Sequence, residues 1–195
     1  NESSGMPTAQ GMDAGNAVNS ESAVTGHITF DSEDGGPHPS LIVCPASLVY
    51  NWGAEFAKFA PSFNAVVVAG TKAERRTAIG RAFRADEPTV LITSYDLLRR
   101  DVDDYTANEQ RFNVMALDEA QYIKNHTTKI AKAVKAVAAD HRFALTGTPI
   151  ENRLSELWSI FDFLMPGLLG SYKRFHERYE LPISNARAAD GSTAE

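Results

Sequence analysis

The stretch 114–121 reads Val-Met-Ala-Leu-Asp-Glu-Ala-Gln, and the stretch 143–149 reads Phe-Ala-Leu-Thr-Gly-Thr-Pro. Each begins as a short apolar run and ends in polar side chains, which is typical of a buried strand that leads into a loop. A segment of helical period, 127–139, lies between them. This order predicts that the two strands are neighbours in one sheet and that their polar loops lie side by side.

The same alternation continues outward from these two strands. Further apolar runs rich in β-branched residues lie at 41–44, 65–69 and 89–93. The segments of helical period are 48–59, which follows Ser47 as a predicted N-cap, 72–85, 94–104, 127–139 and 154–164. Apolar strands that alternate with helices predict an α/β fold, a mostly parallel sheet with helices on both faces. Ligands of such sheets bind at the carboxyl ends of the strands, so the loops there are the functional candidates.

The composition is that of a soluble globular protein and excludes several other classes. Apolar residues make up 43% of the 195 residues and charged residues 23%, so a core can form. No apolar run approaches the roughly 20 residues of a membrane-spanning helix. The single cysteine, Cys44, excludes a disulfide framework, and its apolar neighbours predict a buried thiol in a reducing compartment. We therefore expect a cytoplasmic protein that is not secreted and has no membrane partner.

The acidic charge is concentrated at one end of the chain. Residues 1–36 contain six of the 25 acidic residues and none of the 19 basic ones, so the remainder has no net charge. Residues 1–39 are also rich in Gly, Ser, Asn and Thr, which predicts a flexible acidic insertion or linker. Within it, only 23–30 resembles a weak strand. A nucleic-acid surface would therefore depend on local clusters of basic side chains in the rest of the chain.

The polar residues after the two strands can carry phosphate chemistry. An acid at the end of a buried strand, as Asp118 is, can hold a magnesium ion that bridges nucleotide phosphates, and the next acid, Glu119, can polarise the attacking water. Thr146 and Thr148 supply hydroxyl groups around a glycine in a tight turn. The alternative for each stretch is an ordinary hydrophilic turn, with Asp118 as a helix N-cap.

Four stretches in order resemble the motifs of one family. Residues 41–52 resemble motif Ia, 91–96 motif Ib, 117–125 motif II and 143–152 motif III of the Swi/Snf-type superfamily 2 helicase-like DNA translocases. The segment 154–175 resembles the run into that family's helical insertion. The resemblance covers about residues 40–183. It implies a RecA-like first lobe at 40–165. Residues 166–195 would then contain the start of the helical insertion and a disordered tail.

The resemblance implies a role for particular residues. Asp118 would coordinate Mg²⁺ and Glu119 would activate water. Among the residues of the ATP-binding site, Gln121 would link the nucleotide to motif III, and Thr146 and Thr148 would couple phosphate state to movement of the lobes. Double-stranded DNA would be contacted through its phosphate backbone by five residues, Pro45, Ser47, Thr93, Ser94 and Lys124. A basic stripe could be formed by nine residues, with a solvated helix face as the alternative: Lys124, Lys72, Arg75, Arg76, Arg99, Arg100, Lys129, Lys132 and Lys135. Trp52 and Trp158 are predicted core residues, because each lies on the apolar stripe of its helix.

Several parts that the family requires are missing from these 195 residues. No Gly-x-x-x-x-Gly-Lys-Ser/Thr phosphate loop occurs, and neither the adenine-contacting glutamine motif nor the second RecA-like lobe is present. We therefore expect a piece of a longer chain that is inactive alone and binds DNA weakly, with the second lobe as its partner. We also expect an incomplete sheet with a gap between the strands of motifs II and III, open or filled by 23–30.

Three functions remain open from the sequence. The first is a part of an ATP-driven double-stranded-DNA translocase. The second is a non-catalytic RecA-like module that serves for docking or DNA binding. The third is another nucleotide-binding α/β domain in which Asp118-Glu119 occurs by chance, which the four ordered motifs disfavour.

Overall fold

A computed structural model describes residues 38–148 and 153–183 of the chain. Within them, five strands form one sheet in the order β2-β3-β1-β4-β5, and every neighbouring pair is parallel. The strands are β1 Ser40–Cys44, β2 Asn64–Val67, β3 Thr89–Ser94, β4 Arg111–Asp118 and β5 Ala138–Leu145. All five lie where the apolar runs predict them.

Helices occupy the connections between the strands. They are α1 Val49–Phe59, α2 Lys72–Ala82, α3 Tyr95–Arg100, α4 Val102–Tyr105, α5 Lys129–Ala136, α6 Leu154–Leu164 and α7 Tyr172–Phe175. Short 3-10 turns lie at Ala46–Leu48, Ala107–Glu109 and Ala120–Ile123, and a π turn lies at His176–Glu180. None of the helices in the described part of the chain is long and apolar enough to cross a membrane.

The sheet is covered on both faces, as predicted. In β1, Leu41 and Val43 point to one face, where they pack in a large core with residues of α2 to α6. Ile42 and Cys44 point to the other face, where a smaller core forms beneath α1. This alternation follows from the two-residue period of a strand. The predicted α/β class is therefore confirmed.

Four predicted helix boundaries are wrong. The segment 72–85 is helical only to Ala82. Ser47 does not cap α1, because it lies inside the 3-10 turn Ala46–Leu48 and no side chain caps the helix. The segment 94–104 is divided into α3 and α4 at Asp101. The segment 127–139 is helical only to Ala136, because residues from Ala138 onward pair with β4. Strand pairing thus prevails over helical periodicity at that point.

The expected gap between the strands of motifs II and III is also wrong. β4 and β5 pair directly, from Arg111 opposite Ala138 to Asp118 opposite Leu145. One short crossover helix, α5, joins them, and strands joined in this way are usually neighbours. Among the described residues β5 is instead an edge strand, with Phe143 55% and Leu145 48% exposed. The segment 23–30, proposed to fill the gap, lies outside the described residues.

Candidate functional site

The ends of β4 and β5 bring the predicted site residues together. Asp118 is the last residue of β4 and lies opposite Leu145, the last residue of β5. Glu119 and Thr146 therefore start the two loops from adjacent positions at the carboxyl edge of the sheet. This is the arrangement that the order of the two stretches predicts.

Asp118 is fixed at both its side chain and its backbone. The indole Nε1–H of Trp52, on α1, donates a hydrogen bond to Asp118 Oδ2 at 2.9 Å. The hydroxyl of Tyr95, the first residue of α3, donates to the Asp118 carbonyl oxygen at 2.8 Å. The Tyr95 ring is buried and stacks on Tyr122, with 4.7 Å between the ring centroids and an interplanar angle of 4°.

Glu119 has a left-handed backbone conformation, with φ 54° and ψ 54°. A residue with a Cβ adopts this conformation at a cost of about 1–2 kcal/mol. The turn that it permits starts the 3-10 segment Ala120–Ile123 and reverses the chain sharply after β4. Backbone strain of this kind is concentrated at functional sites, where the surrounding structure holds it in place.

A chain of hydrogen bonds links the two loops. Gln121 Nε2–H donates to Glu119 Oε2 at 2.7 Å, and the Thr146 hydroxyl donates to Gln121 Oε1 at 2.9 Å. The backbone N–H of Thr148 in turn donates to Thr146 Oγ1 at 3.2 Å. We name this set, Glu119, Gln121, Thr146 and Thr148, the β4–β5 polar link. It contains Gln121, expected to link the nucleotide site to motif III, and the two motif III threonines expected to couple phosphate state to lobe movement. Residues 149–152 of that motif lie outside the described residues.

The buried thiol of Cys44 borders the same site. Burial, and next the charge of Asp118, raise the pKa of Cys44 to about 12. Burial followed by Asp118 also raises the pKa of Tyr95 above its ordinary value, so its hydroxyl remains a donor. Cys44 is therefore a neutral core residue, as its apolar neighbours predict.

The carboxylates fit a metal that arrives with a phosphate ligand. The described ranges contain no cluster of three or more His, Cys, Asp or Glu side chains that could hold a metal ion. Asp118 and Glu119 do supply hard oxygen ligands at the carboxyl end of β4. Mg²⁺ is commonly held by one or two carboxylates together with substrate phosphates and water, which matches this small donor set.

The five residues predicted to contact DNA have very different accessibility. Ser47 is exposed and Pro45 is half-buried, both at the turn between β1 and α1. Thr93 is 0% exposed, and Ser94 is 5% exposed and accepts a hydrogen bond from the N–H of Leu97 as the N-cap of α3. Lys124 is half-buried. The burial of Thr93 and Ser94 argues against direct contact by these two side chains in this conformation, and the five assignments stay predictions.

The proposed basic stripe is wrong for at least two of its members. Arg75 is buried, and its Nη2 lies 2.9 Å from Asp101 Oδ1. Lys135 Nζ lies 2.9 Å from Asp162 Oδ2 and 4.9 Å from the centroid of the Trp158 ring. These two charges are paired with carboxylates of neighbouring elements and are not available to a phosphate backbone.

Sequence reasoning missed Trp52, Tyr95 and Tyr122 as members of the site. Trp52 packs beside the smaller core, as predicted, but its polar N–H at the ring edge reaches Asp118. Tyr95 directly follows β3, and this position after a strand would have identified it as a candidate site residue. Trp158 is a core residue, as predicted, with its Nε1–H donating to the Gly170 carbonyl at 3.2 Å.

Comparison with protein families and curated proteins gives concordant matches. The family model described as the SNF2-related domain matches residues 5–194. The TATA-binding protein-associated factor MOT1 of Saccharomyces cerevisiae is 46% identical over 157 residues, which are 80% of this chain and 8% of that protein. An uncharacterized ATP-dependent helicase of Mycoplasma pneumoniae is 47% identical over 142 residues, which are 73% of this chain and 13% of that protein. The chain thus spans a small part of the length of these relatives.

A solved structure has the same fold. It is the Sulfolobus solfataricus SWI2/SNF2 ATPase core in complex with dsDNA, which matches with a TM-score of 0.64 and 41% sequence identity. The match covers 76% of this chain and 29% of the solved one. The prediction of a RecA-like α/β lobe is thereby confirmed.

Proposed function

The chain belongs to the SNF2-related domain family, and we propose that it is the first-lobe part of an ATP-dependent double-stranded-DNA translocase. The carboxyl ends of its strands would bind the γ-phosphate of ATP, and the loop after β1 would contact DNA. The observation that carries the proposal is the β4–β5 polar link, which joins the water-activating candidate Glu119 to Thr146 on the neighbouring strand. An ordinary hydrophilic turn does not require such a link.

Each residue of the site has one task in this proposal. Asp118 holds the Mg²⁺ of Mg²⁺·ATP, and that ion would supply neutralising charge for the phosphates. Glu119 accepts a hydrogen bond from the attacking water and increases its nucleophilicity. Gln121 donates to Glu119 and thereby fixes the direction of the carboxylate. Thr146 holds the other end of the Gln121 amide, so that a shift of the β5 loop changes the position of Glu119.

The proposed DNA contact is the turn between β1 and α1. Pro45 and Ser47 are accessible there, and the N–H of Leu48 donates to the Pro45 carbonyl at 2.9 Å, which keeps the turn compact. A hydroxyl group and loop amides suit the phosphate backbone, whose recognition does not depend on sequence. The similarity to a solved SWI2/SNF2 core in complex with dsDNA supports this choice of partner.

The domain limits belong to the proposal as well. Residues 40–165 would form the lobe, 166–195 would begin the helical insertion, and 1–39 would be an insertion or linker. Because the 195 residues contain no phosphate-loop sequence, we expect the chain alone to hydrolyse ATP no faster than background. We expect its binding to DNA to be weak, to decrease steeply with salt and to be indifferent to sequence.

A hybrid protein tests the proposal. Residues 40–183 of this chain replace the matching segment of the Sulfolobus SWI2/SNF2 core, which supplies the remaining parts of the motor. We expect the hybrid to release phosphate from ATP faster when double-stranded DNA is added. Asp140→Asn is the control for substitutions of Asp118 and Glu119, because Asp140 is an exposed carboxylate at the opposite end of β5.

The same experiment separates the two functions. A hybrid that folds, as judged by circular dichroism, and binds DNA but never hydrolyses ATP would contradict the catalytic role. That result would favour the docking or DNA-binding module.

A further inference from the structure

We propose that Trp52 is the positioning residue of Asp118, and that its indole N–H sets how well the site binds a divalent cation. The contact is direct, since Trp52 Nε1 lies 2.9 Å from Asp118 Oδ2. The inference rests on the proposed function, in which Asp118 holds the metal ion, but Trp52 itself touches neither metal nor nucleotide in the proposal.

The position of Trp52 is determined by its helix. α1 packs on the smaller core formed by Ile42, Cys44, Val90 and Ile92, with Leu48, Trp52 and Phe56 against it. The Trp52 and Phe56 rings lie 6.3 Å apart between centroids. β1 lies between β3 and β4 in the sheet, and the hydrogen bond from Trp52 connects α1 to the end of β4. A partly buried ring held in this way has little freedom to move away from the carboxylate.

An indole is well suited to holding a metal-binding carboxylate. It is a donor only, it carries no charge, and it does not titrate, so it neither competes for the metal nor repels it. One carboxylate oxygen is held while the second remains to bind a cation. Tyr95 holds the carbonyl of the same residue at 2.8 Å, so the backbone and the side chain of Asp118 are fixed independently. Partners that orient a metal ligand typically change metal affinity about 10–100-fold when they are lost.

The sequence offers a matched control for this contact. The chain has two tryptophans, and the second, Trp158, donates its Nε1–H to the Gly170 carbonyl at 3.2 Å and has no contact with Asp118. Trp52→Phe and Trp158→Phe therefore remove the same indole N–H at two places. Both changes preserve an aromatic ring, which limits the cavity that each creates.

The experiment measures binding of Mn²⁺ to the full chain in the presence of ATP, which supplies the phosphate ligands, by the relaxation enhancement of water protons. We expect Trp52→Phe to weaken Mn²⁺ binding about tenfold. Trp158→Phe is expected to leave the affinity within about twofold, whereas Asp118→Asn should abolish the binding. Circular dichroism checks that each variant is folded.

A spectroscopic measurement tests the same inference without substituting Trp52. The two indole ¹⁵N–¹H signals are assigned with Trp158→Phe, and substoichiometric Mn²⁺ is then added to the unaltered chain in the presence of ATP. The Trp52 signal should broaden well before that of Trp158, and this difference should disappear in Asp118→Asn. This readout remains informative if Trp52→Phe fails to fold.

Two results would overturn the account at different levels. If the unaltered chain does not bind Mn²⁺ in the presence of ATP, or if Asp118→Asn binds it equally well, the proposed metal site is wrong and the inference fails with it. If Asp118→Asn abolishes binding but Trp52→Phe behaves like Trp158→Phe, the metal site stands and the positioning role of Trp52 is wrong. Equal broadening of the two indole signals in the unaltered chain would also contradict that role.

Discussion

The strands β4 and β5 are bridged by polar side chains at both ends, and the two bridges differ in kind. At the amino end, Arg111 on β4 and Asp140 on β5 form an ion pair of 2.9 Å with side chains 53% and 39% exposed. At the carboxyl end, Glu119, Gln121 and Thr146 form a continuous hydrogen-bonded chain, with Asp118 fixed beside it by Trp52 and Tyr95. The same two strands therefore present a simple surface contact at one end and a constrained site at the other.

The two ends differ in their side-chain contacts and not in backbone strain. An exposed ion pair, such as the one at the amino end, contributes about 0–1 kcal/mol. Left-handed residues lie near both ends, Asn108 and Glu109 before β4 and Glu119 after it. We place the chemistry at the carboxyl end because the continuous hydrogen-bonded chain and the fixed Asp118 carboxylate lie there.

Removing the centre of the polar link should have the largest effect among the changes that leave both carboxylates in place. In the hybrid motor, Gln121→Ala is expected to lower DNA-stimulated ATP hydrolysis roughly hundredfold, because Glu119 loses the partner that fixes its direction. Steady-state phosphate release measures it, and urea unfolding checks stability. A rate within threefold of the parent would contradict the role of the link.

Removing the far end of the link should have a smaller effect. Thr146→Val keeps the shape of the side chain but removes the hydroxyl that donates to Gln121 Oε1. We expect hydrolysis by the hybrid to decrease about threefold to tenfold, since one such hydrogen bond contributes about 0.5–1.5 kcal/mol. Thr77→Val is the control, because the Thr77 hydroxyl bonds only within α2, to the Ala73 carbonyl. Equal rates in the two variants would restrict the link to Glu119 and Gln121.

Glycine substitutions should change stability with opposite signs at the two ends. Glu119→Gly relieves the left-handed strain, so the free energy of unfolding should rise by up to about 1 kcal/mol while hydrolysis by the hybrid is lost. Asp140→Gly lies within a strand and should lower the free energy of unfolding by about 1 kcal/mol. Urea unfolding of the chain measures both. Destabilisation of similar size at both positions would mean that Glu119 is not strained in the folded chain.

The sequence predicted the frame of the site but not its internal contacts. The apolar runs located all five strands, and the short crossover between 117 and 143 correctly made β4 and β5 neighbours. Because β4 and β5 pair directly, the expected gap between the strands of motifs II and III is wrong. The predicted end of α5 is wrong because residues from Ala138 onward pair with β4, although they continue the helical period. This pairing is a contact between residues distant in sequence, which local periodicity does not predict.

Two features of the site could not be obtained from local pattern. Trp52 lies on an apolar stripe of its helix. Helical periodicity predicts that its ring packs in the core but does not predict the hydrogen bond made by the N–H at the ring edge. Glu119 has a positive φ although it is neither glycine nor asparagine, the residues from which such a conformation is usually inferred. Both depend on groups brought together from separate strands and helices, so only the three-dimensional structure reveals them.

The most direct test of the central claim is hydrolysis of ATP by the hybrid motor that carries Glu119→Gln. The substitution preserves size and hydrogen bonding but removes the carboxylate that polarises water, a function that contributes about 10²–10⁴-fold in rate. The account predicts that DNA-stimulated phosphate release falls by at least about a hundredfold, while binding to DNA and the free energy of unfolding stay those of the parent. Unchanged phosphate release in Glu119→Gln would contradict the claim that the carboxyl end of β4 is the catalytic end of this lobe.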